Sequence, residues 1–211
     1  MSSRIIIADD HTLVAEALHT LVTPHFQVVA TVADGRALLD VAISFRPDAV
    51  VVDVAMPRLN GLEACRQLKD RLPGVKLVFL TMSEDPELAR EAMKMGASGY
   101  VLKKCAGSEL IDALKAAMRG RTYVTRQIAR GMEECFIRNP EGIHQSKSLT
   151  PRQREVVQLL AEGKSMKEAA YLLSVAPRTV AFHKYRVMQD LGLKTSADLV
   201  QYAIKSRIVV Q

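Results

Sequence analysis

Five short apolar runs punctuate the first half of the chain. RIIIA (4–8), QVVAT (27–31), AVVVD (49–53), KLVFL (76–80) and GYVL (99–102) are separated by segments of helical period near 13–22, 35–45, 61–71, 86–95 and 108–119. A Val-, Ile- and Leu-rich run without alternation reads as a strand buried on both faces. Five such strand–helix units predict a doubly wound α/β domain with a five-stranded parallel sheet. In the last helical segment Leu110, Ile111, Leu114, Ala117 and Met118 share one face, behind Ser108 as the expected cap. Ligands of such sheets sit beyond the carboxyl ends of the strands. That rule gives the run AVVVDVAMPRLNG its meaning, because three valines deliver the carboxylate of Asp53 to the ligand edge.

The pattern changes after Gly120. Residues 121–138 read as continuing helix, with Ile128, Met132 and Phe136 on one face, and NPEGIHQSKS (139–148) reads as a linker. Four helical signals follow with no strand pattern. Thr150-Pro151-Arg152-Gln153 is a capping box with Pro at the first helical position, closed by Gly163. Ser165-Met166-Lys167-Glu168 is a second capping box, opening a helix to about Leu173. A third helix runs from Pro177 to about Leu191, and Thr195 or Ser196 caps a fourth near 197–205. The chain thus divides into an α/β domain (1–120), a helical linker (121–147) and a small all-α four-helix domain (148–211).

Charge separates the same regions. Residues 1–120 hold 14 Lys and Arg against 15 Asp and Glu, and residues 121–211 hold 15 against 8. The basic balance of the second part points to a polyanionic partner such as nucleic acid. No apolar run approaches the ~20 residues of a membrane span. The opening MSSRIIIADDH is too briefly apolar for a secretory signal, so a cytoplasmic protein is expected. Cys65, Cys105 and Cys135 fall in no metal-ligand or redox spacing and read as idle thiols.

At the ligand edge Asp53 has company. Asp9 and Asp10 follow the first strand, Thr81 the fourth and Lys103 the fifth. A hard divalent cation takes carboxylate oxygens, and Mg²⁺ commonly needs only one or two from protein. A cation and a Lys ammonium would offset charge on a phosphoryl group in transfer, while a hydroxyl could bond one of its oxygens. An aspartate can itself be the acceptor.

The motifs IIIADDH, VVVDVAMPRLNG, LTMS and GYVLKK resemble the receiver domain of two-component response regulators over residues 4–119, a flavodoxin-like fold. The resemblance implies that Asp53 accepts a phosphoryl group from a sensor histidine kinase. It implies that Asp10, Asp53 and the Ala55 carbonyl hold Mg²⁺ with Asp9 in support. Thr81 and Lys103 would contact the phosphoryl oxygens, and Tyr100 would reorient with Thr81 as a switch. Residues 148–207, with LTPRQREVVQLLAEGKSMKEAAYLL, RTVAFH and KTSADLVQYA, resemble the LuxR-type helix-turn-helix domain. The whole order resembles the NarL/FixJ class, which implies a transcription regulator, not an enzyme, that binds duplex DNA and dimerises when phosphorylated.

The reading helix can also be taken from its period. At about 100° per residue, Val180, Val187 and Leu191 fall inward while Arg178, Phe182, Tyr185 and Gln189 fall outward. With the resemblance, the DNA-facing set becomes Arg178, Thr179, Ala181, Phe182, Tyr185, Arg186 and Gln189. The chain departs from the family at Ser174, where Gly is common in the turn, and at Ala176, where a Ser cap is common. It departs again at Ala181 and Tyr185, where lysines are often found. A phosphotransferase of the haloacid-dehalogenase kind would need a second acid two residues after Asp53, and Ala55 stands there. A receiver acting only through protein contacts fits poorly with the capping-box helices and the basic balance.

Overall fold

A computed structural model describes residues 2–138 and 149–209. The proposed linker 139–148 lies outside them. Strands β1 (Arg4–Ala8), β2 (Gln27–Val32), β3 (Ala49–Asp53), β4 (Lys76–Thr81) and β5 (Gly99–Leu102) alternate with helices. Those helices are α1 (Thr12–Val22), α2 (Gly35–Phe45), α3 (Gly61–Arg71), α4 (Pro86–Lys94) and α5 (Ala106–Met118). With β6 (Tyr123–Val124), all strands pair in parallel, in the order β2-β1-β3-β4-β5-β6.

The doubly wound parallel fold is as expected, with one more strand than predicted. Tyr123–Val124 forms β6 against β5, where a continuing helix was expected, and α6 (Arg126–Arg138) starts afresh behind it. Two residues carry no usable period, so β6 is fixed by tertiary pairing with Gly99 and Tyr100 rather than by local pattern. Helix α6 then packs on α4 and buries Ile128 in the core. Ser108 does not cap α5. The helix begins two residues earlier, and the Ser108 hydroxyl donates to the Cys105 carbonyl inside the first turn.

The strand pleat sorts the core into two layers. Ile6, Val50, Val52, Leu77, Phe79 and Tyr100 pack toward α2, α3 and α4, whereas Ile5, Ile7, Val51, Val78, Leu80 and Val101 pack toward α1 and α5. Burial on both faces is why these runs lack alternation.

Beyond residue 148 come α7 (Pro151–Ala161), α8 (Met166–Leu172), α9 (Pro177–Leu191) and α10 (Ser196–Lys205). Three of their starts are capping boxes, at Thr150, Ser165 and Thr195, each with both reciprocal bonds made. Helix α9 alone begins without a side-chain cap, at Ala176. Val156, Leu159, Ala169 and Val180 form one small core, and Val157, Val187, Leu199 and Ala203 form a second. The turn between α8 and α9 places Ser174 in the left-handed region at φ 52°, which is the conformation that glycine adopts freely.

Candidate functional site

Every strand that was expected to deliver a functional group does so at one sheet edge. Asp53 ends β3, Asp9 follows β1, Thr81 ends β4, and Lys103 opens a short 3₁₀ turn (Lys103–Cys105) after β5. Asp53 and Asp9 are buried, while Asp10 is exposed at the rim. The Lys103 ammonium lies 2.7 Å from Asp53 Oδ2 and 2.7 Å from Asp9 Oδ2. Asp53 Oδ1 accepts from the Ala55 N–H at 3.2 Å. Gly61 closes the site from behind, because a Cβ there would lie 2.0 Å from the Asp53 carbonyl oxygen. Only glycine lets the first turn of α3 approach so near.

Burial lifts the Asp53 carboxyl above the usual carboxylate range, although the Lys103 hydrogen bond pulls the other way. Burial alone would depress the Lys103 ammonium, yet its bonds to Asp53 and Asp9 outweigh that, and it stays protonated beyond the ordinary lysine value. Three carboxylates against one ammonium leave the cluster with two uncompensated negative charges. Oxygens of Asp9, Asp10 and Asp53 and a nitrogen of His11 lie within 4.8 Å of one another. Hard oxygen donors gathered within 4.8 Å of one another and a balance of −2 fit a divalent cation of the Mg²⁺ type.

Thr81 Oγ1 accepts from the Ser83 N–H at 3.1 Å. Tyr100 is fully buried and its hydroxyl has no hydrogen-bond partner among the described residues. Burial first, and the Asp85 carboxylate second, push that hydroxyl's pKa above the usual phenol range. The sequence reading missed His11, whose N–H donates to Asp9 Oδ1 at 2.9 Å and whose Nδ1 lies 3.0 Å from Asp10 Oδ1. Its place directly after the Asp pair was the available signal.

On α9, Val180 and Val187 are fully buried. Arg178, Phe182, Tyr185, Arg186 and Gln189 are exposed, with Thr179 and Ala181 half-buried between them. Phe182 is 65% and Tyr185 59% exposed, an unusual state for aromatics on a small domain. Lys184 Nζ stands 5.6 Å above the Tyr185 ring, and Arg186 pairs with Asp190 at 3.1 Å. Exposed ring faces between cations form a surface suited to base edges and phosphates.

The two halves touch through polar groups that no local pattern foretold. Glu155 and Gln158 of α7 are buried, as is Asn60, the cap of α3. Arg36 of α2 reaches Glu155 at 2.5 Å, and Gln67 of α3 bonds the same carboxylate at 3.2 Å. Arg207 pairs with Asp85, the cap of α4, at 2.6 Å.

A parallel α/β sheet with an acidic, Lys-bearing edge, joined to a capped helix-turn-helix unit, defines a receiver domain coupled to a DNA-binding domain. Residues 5–115 match the response regulator receiver domain, and residues 147–203 match the bacterial regulatory proteins of the LuxR family. The chain belongs to the response regulators that carry a LuxR-type DNA-binding domain, of the NarL/FixJ class. It is 33% identical to the oxygen regulatory protein NreC of Staphylococcus aureus, over 98% of this chain and 99% of that one. Among solved structures it is similar to the RcsB response regulator of Salmonella typhimurium, with 26% identity, a TM-score of 0.59, and 95% and 97% of the two chains covered. It is also similar to the response regulator ChrA of a heme-sensing two-component system, with 27% identity, a TM-score of 0.53 and 99% of each chain covered. Among the described residues no helix is long and apolar enough to cross a membrane.

Proposed function

We propose that this chain is a cytoplasmic transcription regulator phosphorylated on Asp53 by a sensor histidine kinase, and that phosphorylation is coupled to dimerisation and promoter binding. The observation that carries this reading is the Lys103 ammonium 2.7 Å from both Asp53 and Asp9 at the ligand edge of the sheet. Solved structures of RcsB bound to DNA, one holding two RcsB dimers on two parallel DNAs, supply the analogy for a duplex partner and a dimer. The receiver is taken as residues 1–120, onto which β6 and α6 of the 121–147 segment are packed, and the DNA-binding domain as 148–211.

In transfer, a carboxylate oxygen of Asp53 attacks the phosphorus of the donor. The bond from phosphorus to the donor's leaving group breaks, and an acyl phosphate remains on Asp53. Lys103 would follow the growing charge on the phosphoryl oxygens, and the Thr81 hydroxyl, at the end of the neighbouring strand β4, would bond one of them. Asp10, Asp53 and the Ala55 carbonyl would hold Mg²⁺, with Asp9 in support. The ion would supply charge neutralisation between the carboxylates and the phosphoryl group. Tyr100, whose buried hydroxyl lies near Thr81, is the group assigned to follow the Thr81 movement. Phosphorylation then shifts a population toward the dimer. On DNA, Arg178, Thr179, Ala181, Phe182, Tyr185, Arg186 and Gln189 form the contact face of α9.

The test is phosphoryl uptake from acetyl phosphate. Incorporation is expected in the presence of Mg²⁺ and should fall to background in Asp53→Asn, because a carboxamide is not a nucleophile. Labelling that persists in Asp53→Asn, or with the divalent ion chelated, overturns the assignment.

A further inference from the structure

The edge of the sheet opposite Asp53 carries a second charged hollow. Lys76 opens β4 and Asp48 stands just before β3, so both lie where the strands begin. The length of β4, from Lys76 to Thr81, puts about 17 Å between this edge and the acidic one. The hollow measures about 460 Å³, within the range of small-molecule sites. Arg46, Arg71 and Lys76 line it together with Asp48, beside an apolar wall that includes Leu72, Val75 and Met118. None of the three cations has a carboxylate partner among the described residues. Asp48 accepts from the Arg4 N–H at 2.7 Å through one oxygen, which leaves the other to accept from a ligand.

Helix ends explain part of this charge and not all of it. Helices α2, α3 and α5 finish at this edge, and each carboxyl end draws about half a positive charge. Lys69 already serves that need. Its ammonium donates to the carbonyls of Pro73 at 3.3 Å and Val75 at 2.8 Å, in the loop that walls the hollow. Burial first, and the Lys76 charge second, hold Lys69 below the usual lysine range, so cations crowd here with no anion between them. The lining cations and Lys69, set against Asp48 and the three helix ends, leave a balance of about +1.5. That matches the charge of a phosphate monoester at neutral pH. Arg46 adds a backbone observation. It closes α2 at φ 45° and ψ 65°, a left-handed conformation that glycine adopts freely and arginine only at a cost. An arginine in that place brings a forked guanidinium to the hollow, a group suited to phosphate oxygens.

We propose that this hollow binds a nucleoside phosphate, with the phosphate on Arg46, Arg71 and Lys76, a ribose hydroxyl donating to Asp48, and the base against Leu72, Val75 and Met118. A bare phosphate would leave the apolar wall and the Asp48 acceptor unused. The site is separate from the acidic edge and needs no divalent ion.

The full chain tests it in a chelating buffer, where the acidic edge holds no metal–phosphate complex. ADP, adenosine and inorganic phosphate are titrated by calorimetry into the parent, Arg46→Gly, Arg71→Gln and Asp53→Asn. ADP should bind the parent at a single site with a Kd below about 1 mM. Adenosine and inorganic phosphate should each bind at least about tenfold more weakly. Arg46→Gly and Arg71→Gln should each weaken ADP about tenfold or more, the range for losing one charge-assisted bond. Glycine fits the backbone at position 46, so the urea midpoint of Arg46→Gly should stay close to the parent's and its lost binding is not lost folding. Asp53→Asn should bind ADP as the parent does. An absence of saturable ADP binding by the parent overturns the site, as does equal binding by the parent and both arginine variants. Inorganic phosphate that matches ADP removes the nucleoside from recognition and overturns the assignment. Loss of ADP binding in Asp53→Asn would place the ligand at the acidic edge and overturn it as well.

Discussion

Lys103 serves two buried carboxylates at once, and its removal would leave both uncompensated. Breaking a buried ion pair from one side typically costs about 3–5 kcal/mol, so Lys103→Met should lower stability in urea by that order when no divalent ion is present. The folded pKa of Lys103 lies above its unfolded value near 10.5. Its contribution is therefore complete below that value and is lost as pH rises through the folded pKa. The gap between parent and variant should be constant from neutral pH to about 10 and narrow above it. Saturating Mg²⁺ should restore part of the loss, because binding at about a hundredfold the Kd is worth about 2.7 kcal/mol. A gap that widens at alkaline pH would show that Lys103 is not the counter-charge. Asp9, Asp10, Asp53, Thr81 and Lys103 were all legible in the sequence, since each follows a strand and the ligand edge is a property of parallel sheets. Gln158 and Asn60 were not, because their partners lie 98 positions apart in the chain and no period encodes such a pair.

Capping decides much at the scale of single helices. α7, α8 and α10 each open on a completed capping box, whereas α9 opens on Ala176 with no side-chain bond to its first turn. Ala176→Ser should therefore stabilise the helical domain by about 1 kcal/mol, read as a shift in the urea midpoint, with the spectrum unchanged. The faces of α9 were legible because its period of 3.6 sorts Val180 and Val187 inward and Phe182 and Tyr185 outward. Phe182→Ala should lower discrimination between a selected operator and a scrambled one by roughly 1–3 kcal/mol. Its salt slope should match the parent's, since a phenyl ring neutralises no phosphate. Equal binding of both duplexes by parent and variant alike would remove α9 from base reading. The short strand β6 escaped the sequence because a two-residue run has no pattern to detect, and only its pairing with Gly99 and Tyr100 defines it.

For the whole molecule, the uneven charge sets the partner. With 15 basic against 8 acidic residues after position 120, DNA affinity should fall steeply and log-linearly with salt through counterion release. An affinity that ignores salt would point to a protein or small-molecule partner instead. The same scale holds what the sequence could not foretell. The docking of α7 on α2 and α3 depends on Arg36, Gln67, Glu155 and Gln158 meeting across the fold, and each looks like an ordinary surface residue in its own helix.

The parallel pairing of β6 with β5, and the seating of α6 on α4, also fix where this molecule can be cut and rejoined. Gly131 faces Pro86 so closely that a Cβ would lie 2.6 Å from its ring, and Ile128 fills core space beside α4. A chimera that keeps residues 1–138 and changes the output module should inherit an intact sensing half. One severed at Gly120 would lose an outer strand and a buried isoleucine together, opening the β5 edge and an apolar hollow to solvent. The longer version should stay monodisperse on gel filtration at concentrations where the shorter one aggregates. Transplanting outputs between such regulators is then a matter of choosing the seam, and here the seam lies past α6.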